Sequence, residues 1–150
     1  MPRAEGSVVS IAIRTRSGAA MQERNEAEIR IESGVAEDFR GKPGKRQVTV
    51  LSKDAWDAAC AEVDVTLPWT ERRANLLLTG LELLPTPGAR LRVGTALLEV
   101  TGQTDPCVRM DAATPGLFAA LERHNRAGVC CRVVESGHAK AGDSASWEDT

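Results

Sequence analysis

Residues 87–102, PGARLRVGTALLEVTG, read as two successive β-strands: ARLRVG and TALLEVTG, opened by the Pro87-Gly88 turn and divided by Gly94-Thr95. Glycine and proline punctuate a chain at turns because one tolerates positive φ and the other fixes it. The same alternation of β-like runs and turn residues extends both ways. SVVSIAI places Val9, Ile11 and Ile13 at a spacing of two, AEIRIE places Ile29 and Ile31, and QVTVLS places Val48 and Val50. That period marks half-buried strands. ANLLLTGLELL, GVCCRVVESG and DSASW continue the series, and SGHAKAGD reads as a hairpin. The expected fold is mostly β: a closed or nearly closed antiparallel barrel with two or three short helices.

Two helices interrupt the strands. Ser52 caps a helix over Asp54 to Val63, whose Ala55, Trp56, Ala59, Cys60 and Val63 form one stripe expected to pack over a barrel end. Thr114 and Pro115 open a second, running to His124, with Leu117, Phe118 and Leu121 inward and Gly128 as its stop. The acidic WEDT end, residues 147–150, reads as a solvated tail.

The length of 150 residues suits one domain, residues 1–150, with a core from about 8 to 145. Apolar residues make up 42% and aromatics 3%, so the core is aliphatic. Nineteen Lys and Arg against 21 Asp and Glu give a net charge of −2, which argues against a general nucleic-acid binder and confines any anion site to a local cluster. Trp56, Trp69 and Trp147 are not interleaved with basic residues, so no stacking platform for single strands is expected. Neither a signal peptide nor a membrane span is read, and the expectation is a soluble cytoplasmic protein. Cys60, Cys107, Cys130 and Cys131 show no CxxC spacing, so zinc and structural disulfides are not expected.

Chemistry concentrates on a few residues. In DPCVRM, Cys107 follows Pro106, which lacks an N–H, so the segment leaves its strand as a turn and presents the sulfur at a barrel mouth. Arg109 or Arg73 would favour the thiolate there, and Asp105 would oppose it. Arg72, Arg73 and Asn75 precede an apolar run, where two guanidinium groups and an amide can converge on a phosphate or carboxylate. Arg46 and Lys45 stand before another strand and can join that rim. Cys130 and Cys131 are adjacent in a strand, so they point to opposite faces, at most one faces the core, and both read as packing thiols. His124 and His138 lack a nucleophile at a diagnostic spacing, so no hydrolase dyad is expected.

Five stretches in order, RQVTVLS (46–52), RRANLLLTGLEL (72–83), GARLRVGTALLEVTG (88–102), DPCVRM (105–110) and ESGHAKAGDS (135–144), resemble the MOSC domain, named for the C-terminal domain of molybdenum cofactor sulfurases. The resemblance implies a barrel like that of pyruvate kinase and makes Cys107 a sulfur carrier or a molybdenum ligand. It also implies that an R-x-N pair, here Arg73 and Asn75, lies near the pterin phosphate. Where many members carry Gly-Asp before the RQVT strand, this chain has Glu37-Asp38.

Three functions from different classes follow. The leading one is an enzyme in which Cys107 ligates molybdenum of a molybdopterin cofactor and an N-hydroxylated substrate is reduced with electrons from a donor protein. The second is a sulfur carrier whose Cys107 persulfide comes from a cysteine desulfurase. The third is a non-catalytic anion-binding module. Pyridoxal phosphate is not expected in this domain, nor is a nucleic-acid or membrane partner.

Overall fold

The computed structural model describes residues 5–104, 114–123 and 126–148. Eleven strands occur among them: β1 (Glu5–Ile13), β2 (Gln22–Arg24), β3 (Glu26–Arg30), β4 (Gly34–Val35), β5 (Val48–Ser52), β6 (Leu76–Thr79), β7 (Arg90–Val93), β8 (Ala96–Gln103), β9 (Val129–Glu135), β10 (Gly137–Lys140) and β11 (Ser144–Glu148). Seven of them close a barrel in the order β11-β7-β8-β9-β5-β6-β1, with β1 pairing back onto β11. β2 lies beside β1, and β10-β3-β4 form a separate small sheet. The stretch 87–102 is the β7–β8 hairpin, in antiparallel register from Arg90↔Glu99 to Val93↔Ala96.

The barrel interior is aliphatic, with Ile11, Val48, Val50, Leu76, Leu91 and Leu98 all essentially removed from solvent. A bulge between Val8 and Ser10 shifts the parity of β1. Val8, rather than the expected Val9, therefore shares the inner face with Ile11 and Ile13, while Val9 packs outward. Trp147 closes the interior near β11, and its indole Nε1 donates to the Glu82 carbonyl at 2.9 Å. The tail reading is thus overturned for Trp147 and Glu148, which complete β11; Asp149 and Thr150 lie outside the described residues.

A second core lies on the outer wall. α1 (Lys53–Glu62) and α2 (Leu117–Glu122) place Trp56, Ala59, Leu117 and Leu121 against Ala12, Leu51 and Leu77, which point out of β1, β5 and β6. The helices therefore cover the side of the barrel, not an end. This explains the three consecutive buried leucines of β6: Leu76 and Leu78 face the barrel, and Leu77 faces the helices. α1 also departs from the antiparallel expectation, because β5 and β6 run parallel with register Val50↔Leu76 to Ser52↔Leu78. Parallel neighbours need a crossover long enough to carry the chain back, and α1 with a 3-10 turn at Trp69–Arg72 provides it.

Ser52 caps α1 as its sequence implies, its Oγ accepting from Ala55 N at 3.1 Å. α2 begins later than expected. Gly116, in the left-handed region at φ 89, is its cap, so Thr114 and Pro115 stand before the helix, which ends at Glu122. His124 lies outside the described residues. Gly128 is not a helix stop: it sits at φ +100 at the start of β9, where a Cβ would fall 2.4 Å from the Val50 carbonyl oxygen. Glycine is required by that close approach of β9 to β5. SGHAKAGD turns as a hairpin does, with Asp143 N donating to Lys140 O at 3.0 Å, but β10 pairs with β3 instead of β11.

Candidate functional site

Asn75 stands at the head of β6 and ties three segments together. Its Oδ1 accepts from Thr49 N at 3.0 Å and from Thr49 Oγ1 at 3.2 Å, and its Nδ2 donates to the Ala12 carbonyl at 3.2 Å. Its own backbone N–H donates to Thr49 O at 2.9 Å. The side chain is buried, with both oxygen lone pairs and one N–H spent on β1 and β5. From Thr49 the contacts continue across the outer wall. Thr49 pairs with Cys130 in the β5–β9 register, and Cys130 Sγ meets Thr104 Oγ1 at 3.3 Å. Thr104 follows β8 and immediately precedes residues 105–113.

Cys107, the expected centre of the chemistry, is in that stretch and lies outside the described residues, as do Asp105, Pro106 and Arg109. The strand that leads to it is well defined. β8 bulges between Val100 and Gly102, where Thr101 is left out of the pairing. The Thr101 hydroxyl lies between the carbonyl oxygens of Lys45 and Cys130, 3.1 Å from the latter. Bulges beside sites re-aim a strand end.

The two arginines of RRANLLL part company. Arg72 is buried and donates from Nη2 to the Ala127 carbonyl at 2.9 Å. The next carbonyl, Gly128 O, accepts from Thr104 N at 3.0 Å, so Arg72 holds the turn on which the end of β8 rests. Arg73 takes φ 64 and ψ 28 at the end of the 3-10 turn and is exposed. Arg46 is also exposed, in the loop before β5. Asn75 and Arg72 therefore sit inside the wall and Arg73 and Arg46 on its surface.

A cleft of about 100 Å³ opens beside Gly128, lined by Ser52, Ala55, Glu82, Leu83, Pro85 and Arg126. Arg126 is mostly buried and pairs with Glu62 at 3.0 Å. Sequence reasoning did not single it out; its one signal is its position two residues before Gly128.

Cys130 and Cys131 do point to opposite faces, yet both are buried. Cys131 faces the barrel core and Cys130 is covered by the Thr104 side of β8, so one alone faces the core and both pack, as their sequence implies. Burial pushes the Cys131 thiol far up, helped by neighbouring Cys130, and desolvation also raises Cys60. Neither Cys60 nor Cys131 is a ready thiolate.

Residues 14–146 match the family model of the MOSC domain.

This chain belongs to the MOSC domain family.

The solved structures agree in fold. YuaD from Bacillus subtilis aligns with a TM-score of 0.80 at 18% identity, over 99% of this chain and 98% of that one. YiiM from Geobacillus stearothermophilus gives 0.74 at 16% identity, over 96% and 75%, and YiiM from Escherichia coli 0.68 at 15%, over 99% and 71%. No curated protein sequence matches the chain. Against the MOSC pattern the Glu37-Asp38 departure keeps a tight turn: Glu37 adopts φ 71, a region glycine enters freely, and Asp38 Oδ1 accepts from Arg14 N at 3.1 Å.

Proposed function

We propose that this MOSC-domain chain binds the molybdenum cofactor with Cys107 as the metal ligand, and reduces N-hydroxylated compounds with electrons from a donor protein. One observation within the family frame carries the reading: Arg73 is an exposed guanidinium with no carboxylate partner among the described residues, two positions before the buried Asn75. A phosphopterin needs such a donor, because a guanidinium binds phosphate by paired charge-assisted hydrogen bonds.

The donor set fits the group at its phosphate end. Arg73 and Arg46, both exposed, would hold the phosphate. Asn75 acts through the wall, fixing β5 against β6 and β1 so that Arg73 projects from a rigid base. Arg72 fixes the turn under Thr104, and thereby the origin of the Cys107 segment. When bound, the cofactor supplies a metal that exchanges electrons with substrate and donor.

The test is expression in a host that makes the cofactor, followed by molybdenum analysis and pterin fluorescence. Wild-type protein is expected to retain both, Arg73→Ala to retain less, and Cys107→Ser to lose the metal. Full molybdenum in the Cys107→Ser protein overturns the reading. Metal-free wild-type protein carrying one extra sulfur atom on Cys107 overturns it in favour of sulfur carriage.

A further inference from the structure

Between Phe39 and Lys53 the chain holds Arg40, Lys42, Lys45, Arg46 and Lys53 and no acidic residue, in a protein whose net charge is −2. The loop formed by the first four is exposed at every one of these cations. Several surface arginines elsewhere are neutralised: Arg24, Arg90, Arg92 and Arg132 face carboxylates at 3.7, 3.6, 3.0 and 2.7 Å. Among the described residues no carboxylate pairs with Arg40, Lys42, Lys45 or Arg46, and Arg40 only rests on the Phe39 ring, 5.5 Å from its centroid. Four unpaired cations are thus gathered on one loop.

That loop is attached to the candidate site. The Lys45 carbonyl meets the Thr101 hydroxyl at the β8 bulge, three residues before Thr104, where the described strand ends ahead of Cys107. The loop offers no concavity of its own. A Cβ on Gly44 would meet nothing within 4 Å, and none of its cations lines the cleft beside Gly128. Arg40, Lys42 and Lys45 by themselves therefore offer a small anion no cradle. A single-stranded nucleic acid would need stacking surfaces, and Trp56, Trp69 and Trp147 are all buried.

We propose that Arg40, Lys42 and Lys45 form a docking surface for an acidic protein that delivers electrons to the site at Cys107. This rests on the function proposed above in assigning the partner its task. Exposed complementary charge raises the encounter rate and orients the partner, with modest affinity and strong dependence on salt.

The direct test uses a fluorescently labelled polyglutamate peptide as probe, read by anisotropy at ~20 and ~200 mM salt, on either side of the range where screening shortens from beyond 10 Å to below it. The wild-type chain is expected to bind at low salt and release at high salt. The double variant Lys42→Glu/Lys45→Glu should bind at least about tenfold more weakly, as charge reversal at an electrostatic rim does. Lys140→Glu, at the far end of the β3–β10 ladder, should bind as wild type does. Pyrophosphate and an oligothymidylate should compete no better than chloride at equal ionic strength. Absence of wild-type binding, equal binding by the double variant, or specific displacement by pyrophosphate or the oligonucleotide overturns the proposal. Neither metal nor pterin enters this measurement, so its failure is distinct from a failure to load molybdenum.

Discussion

Arg72 reaches across from the 3-10 turn before β6 to the carbonyl of Ala127 before β9, at 2.9 Å and out of solvent. One residue further on, the Gly128 carbonyl receives the N–H of Thr104. A buried charged side chain therefore holds the turn to which Thr104, the last described residue before Cys107, is bonded.

Replacing Arg72 by Leu removes a charge-assisted bond and leaves the Ala127 carbonyl without its donor, a loss of about 2–3 kcal/mol. Urea denaturation should show it as a lower midpoint at unchanged slope. Arg73→Leu, on the surface, should shift stability by no more than about 0.5 kcal/mol while weakening cofactor retention.

Asn75→Ala unties Thr49 from β6. The Thr49 amide, which donates to Asn75 Oδ1, should exchange its hydrogen faster, and stability should fall by about 1–3 kcal/mol. Hydrogen-exchange mass spectrometry on a peptide spanning 47–52 reports the first effect.

Cys131 is an acid whose folded pKa lies above the ordinary 9.0, so folding favours its neutral form. The stability it contributes is complete below pH ~9 and is lost as pH rises beyond that, where the unfolded chain gains a thiolate the folded one refuses. Thermal midpoints should therefore decline above that pH and decline less in Cys131→Ala relative to its own maximum. Alkylation at pH 8 should spare Cys60 and Cys131 until unfolding and label Cys107 first.

Glu37 holds φ 71, strained for a side chain by roughly 1–2 kcal/mol. Glu37→Gly relieves this and gives back roughly 0.4–1 kcal/mol through the freer unfolded chain. The net expectation is a rise in stability of under about 1 kcal/mol, read by differential scanning calorimetry.

The β character of the chain and its α1 cap follow from local patterns, because alternation and capping are nearest-neighbour chemistry. What escaped the pattern depends on distant partners. The parity of β1 changes at a bulge that forms only when β6 pairs with it. The triple leucine of β6 reads as one strand, but only the helix layer reveals why both faces are apolar. At the site, RRAN advertises two arginines equally. The left-handed backbone of Arg73 turns one outward and leaves Arg72 inward, and no feature of the dipeptide distinguishes them. Arg126 went unseen because a lone arginine after a helix carries no motif.

The seam between β1 and β11, with Glu5 opposite Ser146 and Ser7 opposite Ser144, joins strands from opposite ends of the described chain. Such a join requires closing a loop that contains nearly every other element, an entropic barrier paid late and in one step. During synthesis β1 has β2 for company but must wait for β6 and finally β11, leaving one edge of hydrogen-bonding groups open to strangers meanwhile. The slow moment in this protein's birth is thus the last strand's arrival, and a chaperone or a cold ribosome would act on that seam before it acted on anything at the site.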